Sequence, residues 1–251
     1  MTSLNSRHTA IQYTLITGVA LLFLATAWEV KGAIQRNELN HDFDSQAART
    51  MLEATVGISV DGRSHELGTG GGVIFLPSGT IITNGQVVDG ATAVDVRLAD
   101  GRHRQGHVVR RDPFTDLAVI QLVDTGVRWP PLKTGNSDRV RVGDQVFLIA
   151  ATQSGGELRR GRITDLYPMQ REVRLIQTSI PIRSDEAGSA LVNADGHIIG
   201  IVTTALPGGR SVASATAVNS AKDLVLSMVA GPAPSPLQEV PNETPSHSPV
   251  R

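Results

Sequence analysis

From Gly68 to Ala91 the chain reads GTGGGVIFLPSGTIITNGQVVDGA, and this stretch decides the fold class. Val73-Ile74-Phe75 and Thr80-Ile81-Ile82-Thr83 are β-branched or aromatic runs, and Pro77-Ser78-Gly79 between them has the composition of a turn. Two short strands folded back on one another are expected. The same grammar runs outward. Ala91 to Leu98 ends at Ala99-Asp100-Gly101, and Leu117 to Leu122, Gln145 to Ala150, Val173 to Thr178 and His197 to Thr203 follow, the last after the hairpin signal Asn193-Ala194-Asp195-Gly196. Only Ser220 to Val229 has helical apolar spacing, at Leu224, Val225 and Met228. About a dozen strands and a terminal helix predict two packed β-barrels. No repeat of solenoid period is visible.

Composition agrees with this reading. The 251 residues are 40% hydrophobic and 19% charged, as in a chain that buries a core. Twenty-five glycines, thirteen prolines and only 4% aromatic residues fit many short connections better than long helices. A formal charge of -1 supplies no field for nucleic acid, so that partner class drops out. The absence of cysteine excludes disulfides, thiolate metal sites and thiol nucleophiles. Chemistry is left to Ser, His, Asp, Glu and Lys.

The two ends differ from the body. Thr9 to Trp28 (TAIQYTLITGVALLFLATAW) is twenty residues without a formal charge, enough as a helix to cross a hydrocarbon layer of about 30 Å. A retained anchor and a signal peptide cleaved after Ala25-Thr26-Ala27 both fit, and both export the remainder of the chain. Residues 1–30 are therefore read as anchor or signal, 31–50 as linker, 51–230 as the folded domain and 231–251 as a tail. Six prolines between Pro232 and Pro249, among Ser, Thr, Glu and Asn, make that tail extended by composition.

Six segments in order carry a family resemblance: GTGGGVIFLPSGTIITNGQVVDGA at 68–91, LADGR at 98–102, RDPFTDLAVIQL at 111–122, PLKTGNSDRVRVGDQV at 131–146, IQTSIPIRSDEAGSALVNADGHIIGI at 176–201, and Ala217 with its helix. Together they resemble the trypsin-like domain of the HtrA (Deg-type) serine proteases. The resemblance implies an all-β, chymotrypsin/trypsin-like double β-barrel with a C-terminal helix, preceded by one N-terminal transmembrane or signal helix. It also implies an active site in the cleft between two six-stranded barrels. The family's triad His lies in a pattern like TNxHVV, its Asp in DPxxDLAV and its Ser in GNSGGPLVN. By that resemblance Gln86 stands at the His position, Asp116 keeps the Asp position and Ala187 stands at the Ser position. The family's oxyanion hole uses backbone N–H groups that fall here on Asp185 and Ala187, and Glu186 replaces the family's Asn.

Acyl transfer by such a triad needs a hydroxyl to attack and an imidazole to move its proton near neutral pH. A methyl group has no lone pair to attack with, and a carboxamide is no base near pH 7. Two carboxylates, Asp185 and Glu186, would also stand where negative charge develops. The expectation is a catalytically inactive relative, kept as an exported, membrane-anchored scaffold of the inner membrane with its domain in the periplasm. It would bind a protein or peptide partner through a shallow groove beside Ala213-Ser214-Ala215-Thr216-Ala217. Asp116 is expected to be structural, accepting hydrogen bonds from backbone N–H groups or from Gln86.

The resemblance brings further expectations: homo-oligomers, since members often trimerise, and loss of the family's PDZ domain, since only the proline-rich tail follows the last helix. One alternative is an endopeptidase with a shifted nucleophile at Ser184 or Ser189, although no His lies near Gln86 in sequence. Another is metal binding through surface histidines. His103 and His107, four apart on a strand, share a face but sit about 13 Å apart, too far to chelate one ion. His197 follows a turn as an ordinary strand residue, and Arg159, Arg160, Arg162, Arg171 and Arg174 read as exposed charge. Gly68 to Gly72 looks like a nucleotide loop only superficially, since it lies between strands and not before a helix. No cofactor and no metal are expected.

Overall fold

The computed structural model describes residues 45–60, 69–124, 126–152, 155–168, 174–204 and 213–229. The apolar run at 9–28 and the tail at 231–251 lie outside these residues. Among the described residues no helix is long and apolar enough to cross a membrane.

Strands β1 (Thr55–Ser59), β2 (Thr69–Leu76), β3 (Thr80–Asn84), β4 (Ala93–Leu98), β5 (His103–Asp112) and β6 (Leu117–Leu122) close into one barrel in the order β1-β2-β3-β6-β5-β4. Strands β7 (Gln145–Thr152), β8 (Gly155–Pro168), β9 (Arg174–Thr178), β10 (Ala190–Asn193), β11 (Ile198–Thr203) and β12 (Ser214–Ala217) close a second in the order β10-β11-β12-β9-β8-β7. The pairings are antiparallel throughout, so short turns suffice between sequence neighbours. Helix α1 (Ser45–Glu53) precedes the first barrel and α2 (Val218–Val229) follows the second. The linker expected over 31–50 thus gives way to a helix at Ser45. Its residues Ala47, Ala48, Met51 and Leu52 pack on the core, which is why this segment folds.

The period of two in the strands sorts side chains into three apolar layers. Ile74 of β2, Ile81 of β3 and Ala118, Ile120 and Leu122 of β6 fill the first barrel. Leu148 of β7, Leu191 of β10 and Ile176 of β9 fill the second. The opposite parity, Val73, Phe75, Ile82, Leu117 and Val119 from one barrel with Phe147, Ile149, Ala190 and Val192 from the other, forms a shared layer between them. Met51 and Ala54 near the amino-terminal side of that layer, with Val218, Ala221, Leu224 and Val225 of α2, complete it. This is why β3 and β11 are buried at every position, whereas β4 and β5 alternate towards water. Each large side chain fully buried in this way contributes about 1.5–3 kcal/mol.

Candidate functional site

The barrels meet main chain to main chain where β2 faces the turn before β10. The Gly71 N–H donates to the Ala187 carbonyl at 2.7 Å, and Thr83 Oγ1 donates to the Gly71 carbonyl at 2.7 Å. Space is the reason for glycine here. A Cβ on Gly71 would sit 2.5 Å from Ser189 Oγ, and one on Gly188, whose φ is +87°, would overlap the Gly71 carbonyl oxygen and Thr83 Oγ1. The GTGGG run is thus a close-approach surface between barrels.

Asp116 ends a tight turn between β5 and β6. The Asp112 carboxylate accepts from Phe114 N–H at 3.0 Å and from Thr115 Oγ1 at 2.9 Å, and Thr216 Oγ1 of β12 donates to the Thr115 carbonyl at 3.0 Å. These bonds hold Asp116 at φ +53°, the one non-glycine positive φ among the described residues. The Asp116 carboxylate accepts from Thr203 Oγ1 at 3.1 Å and from the Gln86 backbone N–H. Burial nevertheless holds its pKa above the usual carboxylate value, against the lowering pull of Asn84, Thr203, the Gln86 N–H and Arg111. Asn84 Nδ2 exerts that pull from a buried position without a hydrogen bond of normal geometry.

Gln86 lies just past β3, half-buried, its N–H also 3.3 Å from Asn84 Oδ1. Its carboxamide Nε2 donates to Thr204 Oγ1 and not to Asp116. The end of β11 therefore gathers the site: Thr203 holds Asp116, Thr204 holds Gln86, and Val202 exchanges backbone bonds of 2.9 Å with Gly188 and Ser189 beside Ala187. Three positions scattered over about a hundred residues of sequence meet on one strand end.

At that meeting point Ala187 is 1% exposed and its methyl joins the apolar layer of the first barrel, with Val87 and Val88. Ser184–Glu186 form a single 3-10 turn. Its amides face its own carbonyls: Glu186 N–H donates to Arg183 O at 3.1 Å, and Ala187 N–H is directed at Ser184 O at 3.5 Å. The Ala187 amide is therefore directed into the turn.

The two carboxylates expected to repel developing charge behave differently from one another. Asp185 is half-exposed and pairs with Arg183 Nε at 3.3 Å. Glu186 is 0% exposed and turned inward, where Arg159 Nη2 pairs with it, Arg183 Nη2 lies at 2.9 Å and the Arg183 backbone N–H donates at 2.8 Å. Arg159 is itself only 14% exposed and also donates to the Pro181 carbonyl at 2.7 Å. The reading of Arg159 as ordinary exposed charge is corrected by this burial.

Of the two serines, Ser184 is exposed on the turn, whereas Ser189 is 1% exposed with a hydroxyl that lacks a hydrogen-bond partner and packs on Gly71. The described histidines stand elsewhere. His103 and His107 are on β5, where His103 Nδ1 meets Asp95 at 2.6 Å, and His197 is at the opposite end of β11 from Thr203, about 20 Å away at ~3.3 Å per residue. Among the described residues no three His, Asp or Glu side chains are grouped as for a metal. The segment expected to border a shallow groove is β12, buried and paired with both β9 and β11, so its backbone offers no free edge.

Two closed six-stranded antiparallel barrels, with the motif positions meeting at their seam, define the architecture of a trypsin-type peptidase. A family model of the trypsin-like peptidase domain matches residues 68–201, and the chain belongs to that family, on its HtrA/DegP-like side. It is 34% identical over 173 residues to the putative serine protease HhoA of Synechocystis sp., covering 65% of this chain and 44% of the relative. It is 35% identical over 169 residues to the periplasmic serine endoprotease DegP of Escherichia coli K12, covering 64% of this chain and 35% of that one. Among solved structures, an HtrA-type protease AlgW with tripeptide matches with a TM-score of 0.63 at 29% identity, over 73% of this chain and 62% of that one. The chain thus spans 35% to 44% of the length of these two curated relatives.

Proposed function

We propose that the chain is a catalytically inactive HtrA-like pseudoprotease, retained as an exported binding or regulatory scaffold for a protein or peptide partner. The observation that carries this reading is Ala187: where the resemblance puts the nucleophile there is a buried methyl group, and the amide beside it is turned into its own 3-10 turn. Gln86 at the base position has its carboxamide engaged by Thr204, and a carboxamide accepts no proton near neutral pH. Among the described residues Asp116 meets no imidazole, and it serves as an acceptor for Thr203 and the Gln86 N–H. The likeness to an HtrA-type protease solved with a tripeptide supports a peptide as partner class, and the likeness to periplasmic DegP supports the periplasm. The apolar run at 9–28 would hold the barrels at the inner membrane, and self-association, as a trimer, fits the family.

The shifted-nucleophile alternative finds little support. Ser189 is enclosed, and neither serine has a described imidazole within reach.

The test incubates the full chain with unfolded casein and with a fluorophosphonate probe, and measures anisotropy of labelled casein peptides in parallel. Association without cleavage or labelling is expected. Turnover that disappears in S184A or S189A would overturn the inactive reading, and absence of any association would overturn the scaffold.

A further inference from the structure

Two basic residues beside the turn, Arg159 and Arg183, face a carboxylate that no catalytic role requires. Glu186 is wholly enclosed, and three groups converge on its oxygens: Arg159 Nη2, Arg183 Nη2 and the Arg183 backbone N–H. Both guanidiniums are themselves braced, Arg159 by the Pro181 carbonyl and by Glu157 at 3.6 Å, and Arg183 by Asp185 and by Glu157 at 3.5 Å. Glu186 thereby closes both ends of the turn. Its side chain caps Arg183 N–H at the start, and its own carbonyl accepts Ser189 N–H at 3.0 Å at the finish.

We infer that Glu186, with Arg159 and Arg183, is an ionic latch that locks the 184–187 turn closed, so that the site is shut by a mechanism separate from the loss of its reactive groups. The inference rests on the reading of the chain as an inactive peptidase. For the Ala187 amide to swing toward a substrate oxygen the 3-10 turn must unwind. Unwinding moves Glu186, and an unpaired buried carboxylate and guanidinium would be left behind. Arg159 and Glu186 are 27 residues apart, one on β8 and one on the turn, so the latch ties the turn to the second barrel's wall. Arg159 and Glu186 act here as positioning residues.

Two consequences separate the latch from the missing side chains. Restoring a nucleophile and a base in the variant Q86H/A187S leaves the turn closed, so labelling by a fluorophosphonate is expected to remain slow. Adding E186N or E186Q to that background is expected to raise the labelling rate at least tenfold. In the otherwise native chain, E186Q is expected to speed amide hydrogen exchange of Glu186 and Ser189 at least tenfold while the amides of β7 and β10 stay protected. If E186Q lowers protection everywhere, the same comparison is read on R159K, which keeps the charge and loses the paired geometry. Equal labelling rates with and without the Glu186 substitution, together with unchanged local exchange, would overturn the latch. Labelling of the unsubstituted chain at Ser184 or Ser189 would overturn the inactive reading instead, so the two failures are told apart.

Discussion

Asp116 holds its proton more tightly than an ordinary carboxylate. Burial raises its pKa from 3.8, so the folded protein holds the proton to higher pH than the unfolded chain does. Between 3.8 and the raised folded value the native state binds more protons than the unfolded one, and stability falls as pH rises through that window. Above it the penalty is complete. Asp116→Asn removes the charge, keeps an acceptor for the Gln86 N–H, and suits the φ of +53° because Asn tolerates the left-handed region. At pH 7 D116N is therefore expected to be at least as stable as the unsubstituted chain, the advantage shrinking as pH falls through the window. Urea unfolding from pH 7 to pH 3.5 measures it. A charged Asp116 that stabilises the fold would give the opposite order.

Strand β2 joins the barrels by backbone contact, and its energetics depend on that contact. Gly71→Ala places a methyl 2.5 Å from Ser189 Oγ and 3.2 Å from Ser189 N, so the seam must open. Ser189→Ala alone removes an unpaired buried hydroxyl and is expected to be neutral or stabilising by up to about 1 kcal/mol. The same change relieves the nearest clash of G71A, so the double variant is expected to be more stable than the sum of the singles by at least ~0.5 kcal/mol. A denaturation cycle on the four proteins checks it, and strict additivity would contradict the contact. Most strands were legible because their runs are Val, Ile and Leu between turn signals, with β6 at Leu117–Leu122 as expected from the sequence. Helix α1 was not, because SQAARTMLE shows only Ala47, Ala48, Met51 and Leu52 as an apolar stripe next to a stretch read as linker. The site positions came from motif resemblance, which places residues but not their partners. That Gln86 turns to Thr204 and Glu186 to Arg159 depends on contacts 118 and 27 residues apart, and no local pattern announces either.

At the scale of the whole molecule the shared layer makes the barrels one cooperative unit. Phe75, Ile82 and Leu117 lose their cover if the second barrel unfolds, and Phe147, Ile149 and Val192 lose theirs if the first does. Trp129 fluorescence, read in a Trp28→Phe background, and far-UV circular dichroism are expected to report one coincident urea transition. Separate midpoints would mean that the layer is not holding the two halves together. The crossing between β6 and β7 sharpens the point. Trp129 comes after the last strand of the first barrel, yet it is buried in that barrel's own core, with its backbone N–H on the Pro77 carbonyl at 3.0 Å and the Leu132 backbone N–H on the Ile74 carbonyl at 3.0 Å. The connection between the barrels is therefore a stopper for the first as much as a tether to the second. Anyone seeking an independent amino-terminal half would have to cut beyond Leu132, and would still expose an oily wall made to be covered by its neighbour.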